Sequence, residues 1–184
     1  MLIEGRFHCL FCHGYEERGA KSAGTLVTDA ATAGHMPMAA RFARQLADGV
    51  TLYTNSNETI TAQLKSAFLG KRISIDDRAI TRLEKSTEGS EVIVHFKDGS
   101  SKTEGFLVHS PQTKLNGPFA EQLGVELVGP SEIKVSPPFN ETSVPGVFAA
   151  GDSGNMMKNV ALATTQGMLA GAGICMQLGT EKDE

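Results

Sequence analysis

Residues 25–54 read TLVTDAATAGHMPMAARFARQLADGVTLYT. Residues 25–28 are short, apolar and β-prone, which predicts a strand. Pro37 suits the first turn of a helix, and Met38, Phe42 and Leu46 recur at helical spacing, with Gly49 expected to end the helix. Residues 50–54 predict a second strand. Asn57 is placed to cap a second helix, with Ile60, Leu64 and Phe68 on one face and Gly70 closing it. Residues 73–75 predict a third strand. A β-α-β-α-β run is the pattern of a parallel sheet covered by helices.

Downstream the pattern changes. Residues 79–85, 91–97 and 102–108 are three strand-like runs, separated by Glu88-Gly89-Ser90 and Asp98-Gly99-Ser100, both tight-turn signals. They predict an antiparallel meander. From about Pro111 a second organisation begins, with a short helix at 119–123, strands at 133–135 and 147–150, a turn at GDSGN and a long helix at 160–178. Small residues in that last helix allow close packing on a sheet or a bound group. The expected division is 1–110 and 111–184.

The chain has 184 residues, 40% hydrophobic and 21% charged, as in ordinary globular proteins. A net charge of -4 argues against nucleic acid or an anionic membrane as partner. The apolar stretch at 160–178 is interrupted by Thr164, Thr165 and Gln166 and reads as a buried helix, not a membrane span. Glu4, Arg6 and His8 stand where a secretory leader would be apolar. Three cysteines make no disulfide scaffold and suit a cytoplasmic protein.

Two segments carry candidate chemistry. Cys9 and Cys12 lie three apart, flanked by His8 and His13. Such a pair can form a redox disulfide, half of a zinc site or two incidental thiols. A turn or helix start brings the sulfurs within disulfide reach and lowers a thiolate pKa, and His13 could move a proton during exchange. Adjacent Cys-His positions strain a tetrahedral zinc site and no second Cys-x-x-Cys exists, so no metal site is expected. The other segment is TSVPGVFAAGD. Gly151 permits close approach of a ligand, Asp152 could accept hydrogen bonds from sugar-like hydroxyls, and the helix after Asn159 points its N–H groups back to the same place. A plain turn with Asp152 as helix cap reads equally well. The loop after residue 28 has one glycine where a dinucleotide fingerprint wants three, and Asn55 to Glu58 offer no cation for a 2′-phosphate, which argues against NADPH. His35, His95 and His109 read as ordinary histidines.

The order of these parts, HCLFCHGYE, a β-α-β unit with a meander, then GVFAAGD and a small-residue helix, resembles the thioredoxin reductase family of class II pyridine nucleotide-disulfide oxidoreductases. Within it the sequence is most similar to the fungal branch that includes gliotoxin-type dithiol oxidases, whose motif is CPxCHGYE-like. Leu10 stands here at the proline position. The resemblance implies an α/β fold: a three-layer Rossmann-like nicotinamide-type lobe with an antiparallel β-meander, plus a partial FAD-binding lobe. It implies Cys9 as the thiol that meets substrate, Cys12 as the one lying against the flavin and His13 as acid–base partner. Gly151, Asp152, Lys158, Asn159 and Val160 would contact FAD. The part carrying the FAD-pyrophosphate glycine fingerprint would lie outside this sequence, which would impair FAD binding. The implied activity is FAD-dependent thiol–disulfide exchange with a small-molecule dithiol or disulfide or a thioredoxin-like protein, in a homodimer. The alternative is a truncated, flavin-free and non-catalytic paralogue or fragment that needs a partner chain.

Overall fold

A computed structural model describes residues 5–68, 72–129 and 131–180. The chain divides into two compact units, Met1–Pro111 and Gln112–Glu184.

In the first unit the chain runs β1 (Arg6–Phe7), α1 (Leu10–His13), β2 (Ala20–Leu26), α2 (Ala30–Ala33), α3 (Met36–Ala43), β3 (Ala47–Tyr53), α4 (Glu58–Phe68) and β4 (Ile73–Asp76). Then follow β5 (Ile80–Lys85), β6 (Val92–Phe96), β7 (Ser101–Glu104) and β8 (Phe106–Val108). A parallel sheet has the order β1-β8-β2-β3-β4, and β5-β6-β7 form an antiparallel meander. Two apolar clusters cover the two faces of the parallel sheet. One joins Ala23, Val50, Leu52 and Phe106 to Met36, Ala40 and Ala43 of α3 and Ile60, Leu64 and Phe68 of α4. The other joins Tyr53 and Leu107 to Val92, Val94 and Phe96 of the meander. This is the three-layer α/β arrangement expected from the sequence. It arises because central parallel strands must bury both faces.

Several boundaries differ from expectation. β2 begins at Ala20, five residues before the expected strand, because pairing with β3 from Ala20 onward holds a stretch of low intrinsic β preference, and β8 joins from Ala23. The helix expected from Pro37 through Leu46 is α3, which stops short of Leu46, and a separate short helix, α2, precedes it. Asp29 caps α2 in a capping box with Thr32, and α3 ends at Ala43. Gly49 therefore lies inside β3 and ends no helix. The strand expected at 102–108 is also two. The chain leaves the meander after Glu104 and joins the parallel sheet at Phe106. Asn57 caps α4 as expected, accepting the Ile60 N–H at 3.2 Å. Gly70 lies outside the described residues.

The second unit contains α5 (Phe119–Leu123), β9 (Leu127–Val128), β10 (Glu132–Ile133) and α6 (Val160–Thr180), with β9 and β10 antiparallel. The strand expected at 133–135 is thus shorter and paired with a segment the sequence did not announce. The strand expected at 147–150 is absent, and Phe148 makes only an isolated bridge to Glu141. Small residues in α6 do permit close packing. A Cβ at Gly173 would lie 2.7 Å from Phe139 Cβ and 2.9 Å from Phe148 Cε1. Among the described residues no helix is long and apolar enough to cross a membrane.

Candidate redox site and cofactor-binding segment

Cys9 and Cys12 are joined in a disulfide, with their Cα atoms 5.4 Å apart. β1 delivers them to the carboxyl edge of the parallel sheet, where ligands of α/β folds gather. Cys9 is extended at the N-cap of α1, and the Cys12 N–H donates to the Cys9 carbonyl at 3.3 Å. One turn of helix thus closes the Cys-x-x-Cys loop. Leu10 turns inward onto the core, while Phe11 is 84% exposed and rests edge-on against Phe42 of α3, ring centroids 4.9 Å apart. Cys9 is half-buried and Cys12 exposed. His13 ends the helix, exposed, beside Cys12 in sequence. Arg18 lies over the Tyr15 ring, 4.2 Å from its centroid, and donates to the Tyr15 carbonyl.

Gly14 is required by space. A Cβ there would stand 2.4 Å from the Leu10 carbonyl oxygen, which accepts the Gly14 N–H. Gly14→Ala is expected to lower stability by about 1–3 kcal/mol in urea unfolding, the usual cost of overpacking.

His109, expected from the sequence to be an ordinary histidine, has a perturbed environment. It follows β8, and its N–H donates to the Phe7 carbonyl at 2.9 Å, so it sits opposite His8 at the end of the β1–β8 pair. Burial, reinforced by the charges of Arg6 and His8, lowers its pKa from 6.5 to about 4. A histidine whose folded pKa is depressed stabilises the fold above its unfolded pKa and loses that contribution as pH falls through the folded value. Stability is therefore expected to decline between pH 6.5 and pH 4, and His109→Gln to flatten that decline in urea titrations at several pH values. Another residue read as ordinary, His95, faces Glu84 at 2.8 Å.

In the second unit Gly151 opens a single 3-10 turn, Gly151–Ser153, with φ +71°, a conformation suited to glycine. Its N–H donates to Gln166 Oε1 at 2.9 Å, and the Gln166 carbonyl accepts from Asn140 Nδ2 at 3.1 Å. Gln166 is buried in α6, and in the sequence it stands out only as one of the polar residues interrupting the apolar stretch. Lys158 gathers the loop, its Nζ donating to the carbonyls of Asp152 (2.5 Å) and Asn155 and lying 3.3 Å from Glu132 Oε1. Asn159 caps α6, accepting the Leu162 N–H at 2.8 Å. Val160 is 83% exposed.

These residues fit a flavin-type group in part. The exposed Asp152 carboxylate has no partner among the described residues and can accept hydroxyls. Val160 and Ala161 open a 21-residue helix, whose first N–H groups can donate to an anion or carbonyl. Met156, Met157 and Val160 offer exposed apolar surface to a flat ring. The Gly151 N–H and the Asn159 side chain, by contrast, serve the fold itself. Among the described residues no group of three or more His, Cys, Asp or Glu is placed to hold a metal ion.

No family model matches the chain. The thioredoxin reductase aclD of Aspergillus oryzae is 42% identical over 182 residues, 96% of this chain and 57% of that protein. The thioredoxin reductase tcpT of Claviceps purpurea is 42% identical over 175 residues, 93% of this chain and 54% of that protein. In fold, the thioredoxin reductase of Streptococcus pyogenes superposes with a TM-score of 0.73 at 17% identity, covering 96% of this chain and 58% of that one. The chain spans about half the length of the curated relatives it matches. Over nearly its whole length, then, the chain is homologous to the fungal thioredoxin reductase-like proteins and shares their fold.

Proposed function

We propose that this chain is the thiol-exchanging part of an FAD-dependent thiol–disulfide oxidoreductase, with Cys9, Cys12 and His13 as its reacting groups. The observation that carries the reading is the Cys9–Cys12 disulfide, presented at the carboxyl edge of a parallel sheet. A thiolate of a substrate dithiol attacks Cys9 Sγ; the new S–S bond forms as the Cys9–Cys12 bond breaks, and Cys12 leaves as thiolate. His13, next in the chain, is placed to protonate it. The second substrate thiolate then displaces Cys9, so the substrate leaves oxidised by two electrons and both cysteines are reduced. FAD, held through Gly151, Asp152, Lys158, Asn159 and Val160, would supply the two-electron acceptor that restores the disulfide. The substrate is a small-molecule dithiol or a thioredoxin-like protein, and the working unit a homodimer in the cytoplasm.

For the final acceptor, oxygen suits these residues better than NADP⁺. The helix start after β2, where a dinucleotide pyrophosphate would need free N–H groups, is occupied by Asp29, whose carboxylate takes the Thr32 N–H at 2.8 Å. The test is spectral: purified protein reconstituted with FAD should show flavin absorbance that dithiothreitol bleaches. A preparation that takes up no flavin and exchanges no thiols would overturn the reading.

A second reading, a flavin-free chain that works only with a partner chain, draws on one observation. α6 exposes Val160, Met168, Ile174, Met176 and Leu178, apolar surface of the kind that partners cover. Light scattering with and without FAD separates the two. A flavin-free monomer that stays monomeric favours neither cofactor nor homodimer, and a heteromeric complex recovered with a second chain favours this alternative.

A further inference from the structure

At the amino edge of the parallel sheet, opposite the edge that carries the cysteines, the ends of α3 and α4 meet the start of β4. Arg41, Arg44, Phe68, Arg72 and Ile73 line a cavity of about 400 Å³ there, within the range of small-ligand sites. Three arginines line this one concavity. No side-chain hydrogen bond or ion pair joins any of them to another described residue. The chain has 21 acidic residues against 17 basic ones, so scarcity of carboxylates does not explain it.

Complementing the helix dipole accounts for Arg41 and Arg44 singly, since both lie at the C-terminal end of α3. It does not account for Arg72, which precedes β4, nor for all three lining one cavity, an arrangement that gathers positive charge suited to an anion. Phe68 and Ile73 form an apolar floor, and Arg41 Cζ lies 5.7 Å from the Phe68 ring centroid.

We propose that this cavity binds a small organic phosphate monoester. A phosphate monoester carries close to two charges and three terminal oxygens, enough to accept from three arginines, while a carboxylate offers one charge and two oxygens. The apolar floor takes the uncharged body of the ligand. The site is independent of the thiol chemistry because it lies at the opposite edge of the sheet.

Phenyl phosphate and benzoate serve as probes, titrated calorimetrically into the whole chain at matched ionic strength. Phenyl phosphate is expected to saturate at one site and to bind at least tenfold more tightly than benzoate. Arg41→Gln, Arg44→Gln and Arg72→Gln should each weaken it about tenfold, and Arg72→Lys nearly as much, because a lysine cannot donate bidentately. Lys21→Gln, on the exposed surface of β2, should leave it unchanged. Absence of saturable binding, affinity that ignores the arginine substitutions, or equal binding of benzoate would overturn the proposal. The substituted side chains are at least partly exposed, and circular dichroism of each variant confirms its folding.

Discussion

Cys9→Ser and Cys12→Ser are each expected to lower dithiol turnover by at least about 10³-fold, the scale seen when a covalent nucleophile is removed. The two losses differ in kind. With Cys12 replaced, Cys9 can still form the mixed disulfide with a substrate disulfide, but nothing in the chain resolves it. Intact-mass measurement should then show the protein plus one substrate thiol. With Cys9 replaced, Cys12 remains exposed, yet its proposed place is on the flavin side, and little adduct should accumulate. If Cys9→Ser traps the adduct and Cys12→Ser does not, the assigned roles are reversed. If both variants keep full turnover, the disulfide is structural and the redox reading fails.

Lys102→Met is expected to cost about 3 kcal/mol of stability, the second large effect. Tyr53 and Glu104 are both 0% exposed, and the Tyr53 hydroxyl donates to Glu104 Oε1 at 2.5 Å. Lys102 Nζ stands 2.9 Å from the same oxygen and donates to Thr51 Oγ1 at 2.7 Å. Glu104 Oε2 has no partner among the described residues, so the carboxylate already depends heavily on Lys102. Removing one partner of a buried pair strands the other charge, which costs about 3–5 kcal/mol. The lower end applies because the Lys102 side chain is 39% exposed. Tyr53→Phe should cost less, about 1–2 kcal/mol, since it removes a single hydrogen bond to a charged group. Urea midpoints of the two variants check the order; a Lys102→Met protein as stable as the parent would show that water reaches Glu104.

The same cluster predicts an alkaline limit. Burial, and then the charge of Glu104, raises the Tyr53 hydroxyl far above its ordinary value of 10.0. A group whose folded pKa is raised contributes stability that is complete below the unfolded pKa and is lost as pH climbs above it. Unfolding free energy should therefore decline above about pH 10 in the parent, and Tyr53→Phe should remove part of that slope.

Much of the fold was legible because parallel βαβ architecture writes itself in one dimension. Short apolar strands alternate with helix-period runs, and both Asn57 and Asn159 mark helix starts where expected. The pair of cysteines was legible for the same reason: a separation of three residues is closed by a single local turn. What the reading missed involves partners distant in the chain. β2 begins at Ala20 because β3 pairs with it from there, and the stretch at 147–150 lacks the neighbours that would make it a strand. Gly49 looked like a helix stop and is a strand residue.

The candidate sites divide along the same line. Local spacing and residue type alone brought out Cys9, Cys12, His13, Gly151 and Asp152. Tyr53, Lys102 and Glu104 are separated by as many as 51 residues and meet only where the meander lies on the parallel sheet. Gln166 reaches Gly151 only through the packing of α6, and Arg72 joins Arg41 and Arg44 only at the amino edge of the sheet. Turns and helix caps are settled by neighbours in sequence, so their chemistry can be read from the chain. Burial, charge pairing and cavities depend on which strands lie side by side, and long-range packing decides that.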